Sequence, residues 1–414
     1  MKNILLLGNS LGFISFIEKI RAKDKESAIT FLSTDGALPY DRYRLADFLS
    51  KDIKENQIFP EQEAFFKTHN VKVITDQEIK SVSLKRRHVT MADKSQIDYD
   101  VLLLADSPAL KLAPIKGHQK QGLFGCARLS QIKEILKYLP MTETIIVALD
   151  TPLGLKTATA LSRYKKEIKI ITDDKNILAQ ILDEESSAML RQLLEQKGVQ
   201  ILAKNSITEI LGDQEVKAVR LSSGKVISGE MVIIDDCKVD AKFFPEEIYQ
   251  ATDEINHSCF FKTQWPGVYT MDAAWDHFFI NSVSDYAQTA AVLFEQGKAV
   301  AANVLGEDYQ FPPIVPRFEF VMEGLDGFWM GKTQLEQGAR EFLRFDAQQN
   351  IYKKIFAQDD FCLGGILFNA PRDKDKIREC IETKFNIQGV EDYLLEENFG
   401  LSHLVKLQKE KKSG

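Results

Sequence analysis

The sequence predicts an α/β protein in which one plan, a parallel sheet wound by helices, is used twice and is followed by a smaller α+β unit. Three observations carry that expectation. An apolar strand runs through a glycine-bearing turn into a helix and a second strand between Ile4 and Ser33, and the same series recurs between Ile145 and Thr172. Each series leads into short strands separated by polar turns and then into a strand that returns to its sheet. Beyond the double proline Pro312-Pro313, four strands and one helix follow.

In chain order, the first unit is strand Ile4–Leu7, helix Ile14–Arg21 and strand Ile29–Ser33. Leu38 to Leu45 reads as a turn into a short helix, Phe59–His69 as a helix and Val71–Thr75 as a strand. Ile79–Leu84, Arg87–Met91 and Tyr99–Leu104 then form a meander returning to the first sheet. Leu123–Leu139 is a connector plus an amphipathic helix with Ile132, Ile135, Leu136 and Leu139 on one face. The second unit is strand Ile145–Leu149, a helix from Leu155 to Tyr164 and strand Ile168–Thr172. Asp183 suits the cap of a helix running to Lys197, Glu184 and Glu185 complement its dipole, and Gly198 stops it. Val199–Leu202 continues that sheet, and Ile207–Ile210, Val216–Leu221 and Met231–Ile234 make a second meander.

From Gly267 the chain returns to the first sheet with Val268–Met271 and an Ala-rich helix, Ala287–Leu305, closed by Gly306. The last unit has strands Phe318–Met322, Glu341–Asp346, Ile351–Ala357 and Phe361–Phe368, then helix Arg372–Phe385. The charged end Lys406–Gly414 is expected to fray.

Composition narrows the classes of function. At 414 residues the chain exceeds one ordinary domain, and about 150 residues per domain suggests two or three. With 44% hydrophobic and 27% charged residues it reads as an ordinary soluble globular protein. A net charge of -7 argues against nucleic acid or an anionic membrane as the main partner, since both are polyanions; local basic patches stay open. The chain starts on a strand without an apolar leader, and no run approaches the roughly 18 apolar residues of a membrane span. Five scattered cysteines without a C-x-x-C pair fit a reducing cytoplasm. Six isolated histidines make a zinc site improbable.

Chemistry concentrates in the two turns. In Gly8-Asn9-Ser10-Leu11-Gly12-Phe13, the positions of a dinucleotide-binding G-x-G-x-x-G turn read Gly8, Ser10 and Phe13. Such glycines let backbone N–H groups approach a pyrophosphate closely. Ser10 is a mild change, while Phe13 sets a ring where the helix should meet the sheet, unless Gly12 serves after a one-residue shift. A buried helix residue is the plainer reading of Phe13. Asp35, at the end of the second strand, stands near the place of a ribose-binding acid, or is a turn residue. In the second turn, aligned on Gly154, the first two glycine positions are Leu149 and Thr151. Asp150 between them faces the phosphates, a repulsion of ~1 kcal/mol in water at about 4 Å and more when partly buried. Pro152 removes a donor, and Thr172 stands where an acid usually holds the adenosine ribose.

Five stretches together resemble one family. Leu38-Pro39-Tyr40-Asp41-Arg42 is similar to a P-P-Y-x-R turn, and Tyr99 to Ala105 to a Y-D-x-L-x-x-A-T-G strand. Leu182 to Val199 is similar to an L-D-x-x-x-x-x-x-L-x-x-x-L-x-x-x-G-V helix, Gln296 to Asn303 to a Q-G-x-x-A-A-x-N helix, and Tyr352-Lys353-Lys354 with Gly364-Gly365 to a closing Y-K-K and glycine pair. The order resembles the two-dinucleotide-domain flavoprotein reductases, in the rubredoxin reductase and NADH-dependent nitrite reductase branch, over roughly residues 1–385.

That resemblance implies two Rossmann-like domains and a small α+β domain. Residues 1–110 and 250–312 would form the FAD-type domain with a connector at 111–140. Residues 141–249 would be the inserted NAD(P)-type domain, 313–390 the α+β domain and 391–414 a tail. It also implies hydride transfer from a nicotinamide to FAD and onward electron transfer to a redox protein or small acceptor. The implied cofactor-binding residues are Gly8, Ser10, Gly12, Asp35, Arg42, Asp272 and Gly154, with no metal ligand among them. Gly8 and Gly154 would be needed for tight turns in any βαβ unit, and Arg42 has Asp41 or Asp47 as plainer partners.

Other positions depart from the family pattern. The A-T-G corner reads Ala105-Asp106-Ser107, the return strand of the second unit ends Asp235-Asp236-Cys237, and Lys156 replaces a glutamate near the flavin. The G-D strand end reads Met271-Asp272-Ala273, so Ala273 replaces the acid unless a one-residue slip lets Asp272 serve. The Asp276-His277 pair reads as an exposed polar cluster; Phe328-Trp329, Trp265 and Trp275 read as core packing, or as a covered cavity or partner face. On the sequence alone, the losses in both turns favour an eroded family member kept as a partner or regulatory subunit, with NAD(P) not bound in the usual pose. The alternatives are an active FAD oxidoreductase linking NAD(P)H to a redox protein, and a module for another adenylate or acidic metabolite.

Overall fold

The computed structural model describes residues 1–105, 109–110, 115–149, 151–234, 237–238, 260–272, 289–311, 315–334, 338–396 and 400–413. Asp150, the Asp106-Ser107 and Asp235-Asp236 corners, Ala273, Trp275 to His277 and the double proline lie outside them.

The first sheet is parallel throughout, in the spatial order Val268–Thr270, Val101–Ala105, Asn3–Gly8, Ala28–Leu32, Val71–Ile74. Leu5, Leu6 and Leu7 on its central strand are all buried because both faces of a parallel sheet are covered. The late return of the chain is thereby established, with Val268 opposite Leu102. The second sheet repeats the plan in the order Gln200–Ala203, Glu167–Thr172, Thr144–Ala148, Met231–Ile234, with Leu123–Phe124 on the edge. One edge strand thus comes from late in the chain and the other from the connector.

Each meander is a separate antiparallel sheet of three strands beside its parallel sheet: Ile79–Ser83, His88–Met91 and Gln96–Asp98, then Ile207–Leu211, Ala218–Leu221 and Val226–Ser228. Gln96–Asp98 and Val226–Ser228 escape sequence reading because three residues show no resolvable period. The helix expected over 59–69 is confined to Glu63–Thr68, with a 3-10 turn at Glu55–Ile58 before it. Asp183 caps Glu184–Gln196 as expected, accepting the Ser186 N–H at 2.8 Å.

The third unit holds five antiparallel strands rather than four: Arg317–Met322, Leu325–Gly331, Phe361–Phe368, Ile351–Gln358 and Arg340–Asp346 in spatial order. Leu325–Gly331 was hidden because both its faces are buried, which erases the alternation a strand normally shows. Phe328 and Trp329 are therefore core residues, on opposite faces of one strand. The charged end, expected to fray, carries an element that the sequence reading did not include. It forms helix Leu401–Ser413, whose Leu404 is buried against the cluster that holds Ile377, Cys380 and Leu394.

A buried lysine ringed by carboxylates, two of them partly in solvent, joins the second and third units. The Lys354 ammonium lies 2.7 Å from Asp183, 2.8 Å from Glu185 and 2.9 Å from Glu341, and Ser186 Oγ meets Tyr352 Oη at 2.9 Å. Lys354 stays charged because these carboxylates raise its pKa against the desolvation that would lower it.

Candidate nucleotide and flavin site

The first strand ends at Gly8 with φ 129°, a conformation that L side chains rarely adopt and that turns the chain sharply into helix Gly12–Lys23. Phe13 is the buried helix residue of the plainer sequence reading, and not the obstruction that motif counting suggested. Its ring is fully buried beneath the helix and meets Phe31 edge-on at 5.8 Å. Gly12 makes the close approach instead. A Cβ on Gly297 of helix Ala290–Val304 would stand 2.0 Å from Gly12 O and 2.3 Å from Ser15 Oγ, and Ser15 Oγ donates to Phe294 O at 2.6 Å. Two glycines thus let the helices touch backbone to backbone, so the turn keeps its shape without the third motif glycine. Ser10 is buried in the turn, with its Oγ 3.3 Å from the Gly12 N–H.

Asp35 sits at the end of the second strand within reach of the turn. It accepts from Asn9 Nδ2 at 2.8 Å and from Tyr40 Oη at 2.6 Å. Burial, and then the Asp35 charge, hold the Tyr40 phenol well above its ordinary pKa, so Tyr40 keeps the proton it donates. Asn9 also donates to the carbonyls of Ala37 and Leu38, tying the turn to the Pro39-Tyr40-Asp41 segment. Nothing in the motif letters signals Asn9, an "x" position.

Arg42, Asp272 and Gln296 converge at the same end of the sheet from three distant segments. Arg42 pairs with Asp272, the former nearly and the latter wholly buried. Asp272 therefore stands where an acid can serve; its φ of 59° is unusual for a residue with a side chain. Its N–H donates to Gln296 Oε1 at 3.0 Å. Because that N–H can only donate, the amide oxygen faces it, and Gln296 Nε2 is left buried without a hydrogen-bond partner among the described residues. Gln296 opens the Q-G-x-x-A-A-x-N stretch, so the motif was a usable signal. The plainer partners suggested for Arg42, Asp41 and Asp47, are engaged elsewhere: Asp41 accepts the Tyr43 N–H at 3.0 Å and Asp47 pairs with Lys156 at 3.2 Å.

The second turn is built differently. Leu149 is buried, and its N–H continues the strand by donating to Ile171 O at 2.8 Å. Thr151 caps helix Pro152–Ser162, its Oγ1 accepting from Leu153 N at 3.2 Å and Gly154 N at 3.5 Å. Those N–H groups are the ones a phosphate would need. Lys156, on the same helix, donates to Tyr43 O at 2.7 Å. Beside it a cavity of about 510 Å³ opens between all three units, lined by Tyr43, Arg44, Arg317 and Phe318 among others. Neither arginine was singled out by the sequence.

The family description "Pyridine nucleotide-disulphide oxidoreductase" matches residues 2–270, well over half of the chain. The chain belongs to the pyridine nucleotide-disulphide oxidoreductase family. Among its relatives are the assimilatory nitrate reductase electron transfer subunit of Bacillus subtilis, 22% identical over 95% of this chain and 51% of that protein. Nitrite reductase [NAD(P)H] of the same organism is 24% identical over 93% of this chain and 48% of that protein. The chain thus spans about half the length of these relatives. The reductase of a covalent putidaredoxin reductase–putidaredoxin complex shares the fold, with a TM-score of 0.80 at 17% identity over 99% of both chains. Among the described residues, no helix is long and apolar enough to cross a membrane.

The family's flavin fits the residues that converge beside the first turn. A buried amide donor without an acceptor and a buried guanidinium beside a buried carboxylate suit a polar ring system with carbonyl and ring-nitrogen acceptors. The reading of an eroded first turn gives way, because its most damaging letter, Phe13, lies in the core.

Proposed function

We propose that this chain is an FAD-dependent oxidoreductase that passes electrons between a reduced nicotinamide nucleotide and a redox-protein acceptor. The observation that carries the proposal is the Gln296 amide, buried beside the Arg42–Asp272 pair with a donor that nothing among the described residues accepts. Leaving such a group unsatisfied costs about 1–3 kcal/mol, a penalty that a bound acceptor would remove.

In this reading the Gly8-to-Gly12 turn takes the pyrophosphate on backbone N–H groups, and the Asp35 carboxylate, oriented by Tyr40 and Asn9, faces the adenosine ribose. Arg42, Asp272 and Gln296 position the other half of the cofactor and exclude water from it. The flavin, when bound, supplies hydride acceptance and its division into single electrons. The relatives described as an electron transfer subunit and as a nitrite reductase support the direction of this assignment.

The test is the flavin content of purified protein before and after reconstitution, followed by anaerobic addition of NADH or NADPH. About one FAD per chain, bleached by nucleotide and restored by a ferredoxin-type acceptor, is the expected result. Protein that stays colourless after reconstitution overturns the proposal. One observation favours a second reading, a partner subunit with little turnover of its own: Thr151 Oγ1 already engages the Leu153 and Gly154 N–H groups at the start of the second unit's helix. Bound flavin that neither nucleotide reduces would select that reading.

A further inference from the structure

We infer that a nicotinamide nucleotide is held through its phosphates by Arg44 and Arg317 in the cavity between the three units, rather than at the amino end of helix Pro152–Ser162. The inference deepens the proposal above and rests on it for the identity of the ligand.

Two structural facts lead to it. The amino end of the second unit's helix has fewer donors to offer a phosphate, since Thr151 Oγ1 engages the N–H groups of Leu153 and Gly154 and Pro152 has no N–H. The second fact is the charge balance of the cavity. Lys156 is paired with Asp47 at 3.2 Å, Lys374 with Glu319 at 3.4 Å, and Arg378 with Asp375 at 2.7 Å. The remaining carboxylate, Asp41, accepts the Tyr43 N–H at 3.0 Å.

Arg44 and Arg317 are left over. Neither makes an ion pair among the described residues. Arg44 gives one N–H to Gln57 O at 2.6 Å, and it acts on Asp41 only through space. Arg317 opens the first strand of the third unit, next to Phe318. Two guanidinium forks without carboxylates suit phosphate oxygens, which they bind in pairs of parallel hydrogen bonds. Tyr43 and Phe318 give the lining aromatic surface, and about 510 Å³ falls in the range of nucleotide-sized pockets. The cavity also lies close to the proposed cofactor, because Tyr43, whose carbonyl accepts from Lys156, directly follows Arg42.

The test is equilibrium titration of the full-length protein, as purified with whatever flavin it carries, with NADH, NADPH and nicotinamide riboside, which has no phosphate. R44Q, R317Q and the double variant are compared with wild type at two salt concentrations. Both arginines are partly exposed, so the fold should persist, and R44K and R317K report on charge without the fork. The expected result is about tenfold weaker binding or more for each guanidinium removed, a flatter salt dependence, and little affinity for the riboside. Binding that ignores both substitutions, or no nucleotide binding by wild type, overturns the inference. Flavin absorbance of the same samples separates the two claims. Colourless protein with arginine-dependent binding refutes only the FAD proposal, and flavin-loaded protein whose binding ignores the arginines refutes only this one.

Discussion

Replacing Gly297 by alanine should destabilise this protein, the reverse of what the same change does in most helices. In an exposed helix interior Gly→Ala gains about 1 kcal/mol from backbone entropy. Here the new methyl would lie 2.0 Å from Gly12 O, 2.3 Å from Ser15 Oγ and 2.8 Å from Gly12 C. Two of these atoms belong to backbone, so relief requires helices Gly12–Lys23 and Ala290–Val304 to move apart. Overpacking of this kind costs about 1–3 kcal/mol. Separation also breaks the 2.6 Å bond from Ser15 Oγ to Phe294 O, a further loss of about 1 kcal/mol. Against the propensity gain, the net expectation is about 1–3 kcal/mol of destabilisation, read as a lower urea midpoint at unchanged slope. K298A, at an exposed neighbouring position, should change stability by under about 0.5 kcal/mol. Because Gly12 belongs to the turn proposed to face the pyrophosphate, G297A should lose flavin as well. A G297A protein as stable as wild type would show that the helix contact is not as tight as described.

Other perturbations separate the parts of the site. R42A leaves Asp272 buried without its guanidinium, and should cost about 3–5 kcal/mol by denaturant unfolding, whereas Q296L, which takes the acceptor from the buried Asp272 N–H, should cost about 1–3 kcal/mol and reduce flavin occupancy. T151A removes the cap of helix Pro152–Ser162 and should cost about 1 kcal/mol, with no loss of nucleotide affinity if the phosphates are held by the arginines. Burial pushes the Cys362 and Cys380 thiols up to about 12. The folded protein therefore retains protons that the unfolded chain releases above about pH 8.5, and its stability should fall between that pH and about 12 by up to 1.4 kcal/mol per pH unit for each thiol. C362A and C380A should flatten that decline, measured as urea midpoints across the range; an unaltered slope would contradict it. Removing the ammonium at the junction of the second and third units by K354M leaves Asp183, Glu185 and Glu341 facing one another, and should loosen that junction to protease before the first sheet unfolds.

The parallel sheets were legible in the letters because their signals are local. Leu5 to Leu7 and Ile145 to Val147 are apolar on both faces, Gly8 and Gly198 have positive φ, and Asp183 caps where a cap belongs. A strand such as Leu325–Gly331 was not, since burial on both faces removes its period and its glycines look like turn residues. One of them, Gly327, instead makes room for the Phe320 ring, which a Cβ would meet at 2.0 Å. The site shows the same division. Sequence spacing singled out Gly8, Ser10, Gly12, Asp35, Arg42, Asp272 and Gly154 one by one, but motif counting weighed Phe13 as damage.

Which way a side chain points depends on what packs against it, and that is a property of distant segments. By itself, the chain's order of apolar runs, glycines and caps determined two wound parallel sheets and a third, antiparallel unit. Only the tertiary structure decided that Phe13 turns into the core while Gly12 meets Gly297, that Arg42 reaches Asp272 across 230 residues, and that Thr151 closes its own helix end. Steric fit and ion pairing at such separations leave no periodic trace for a sequence to show.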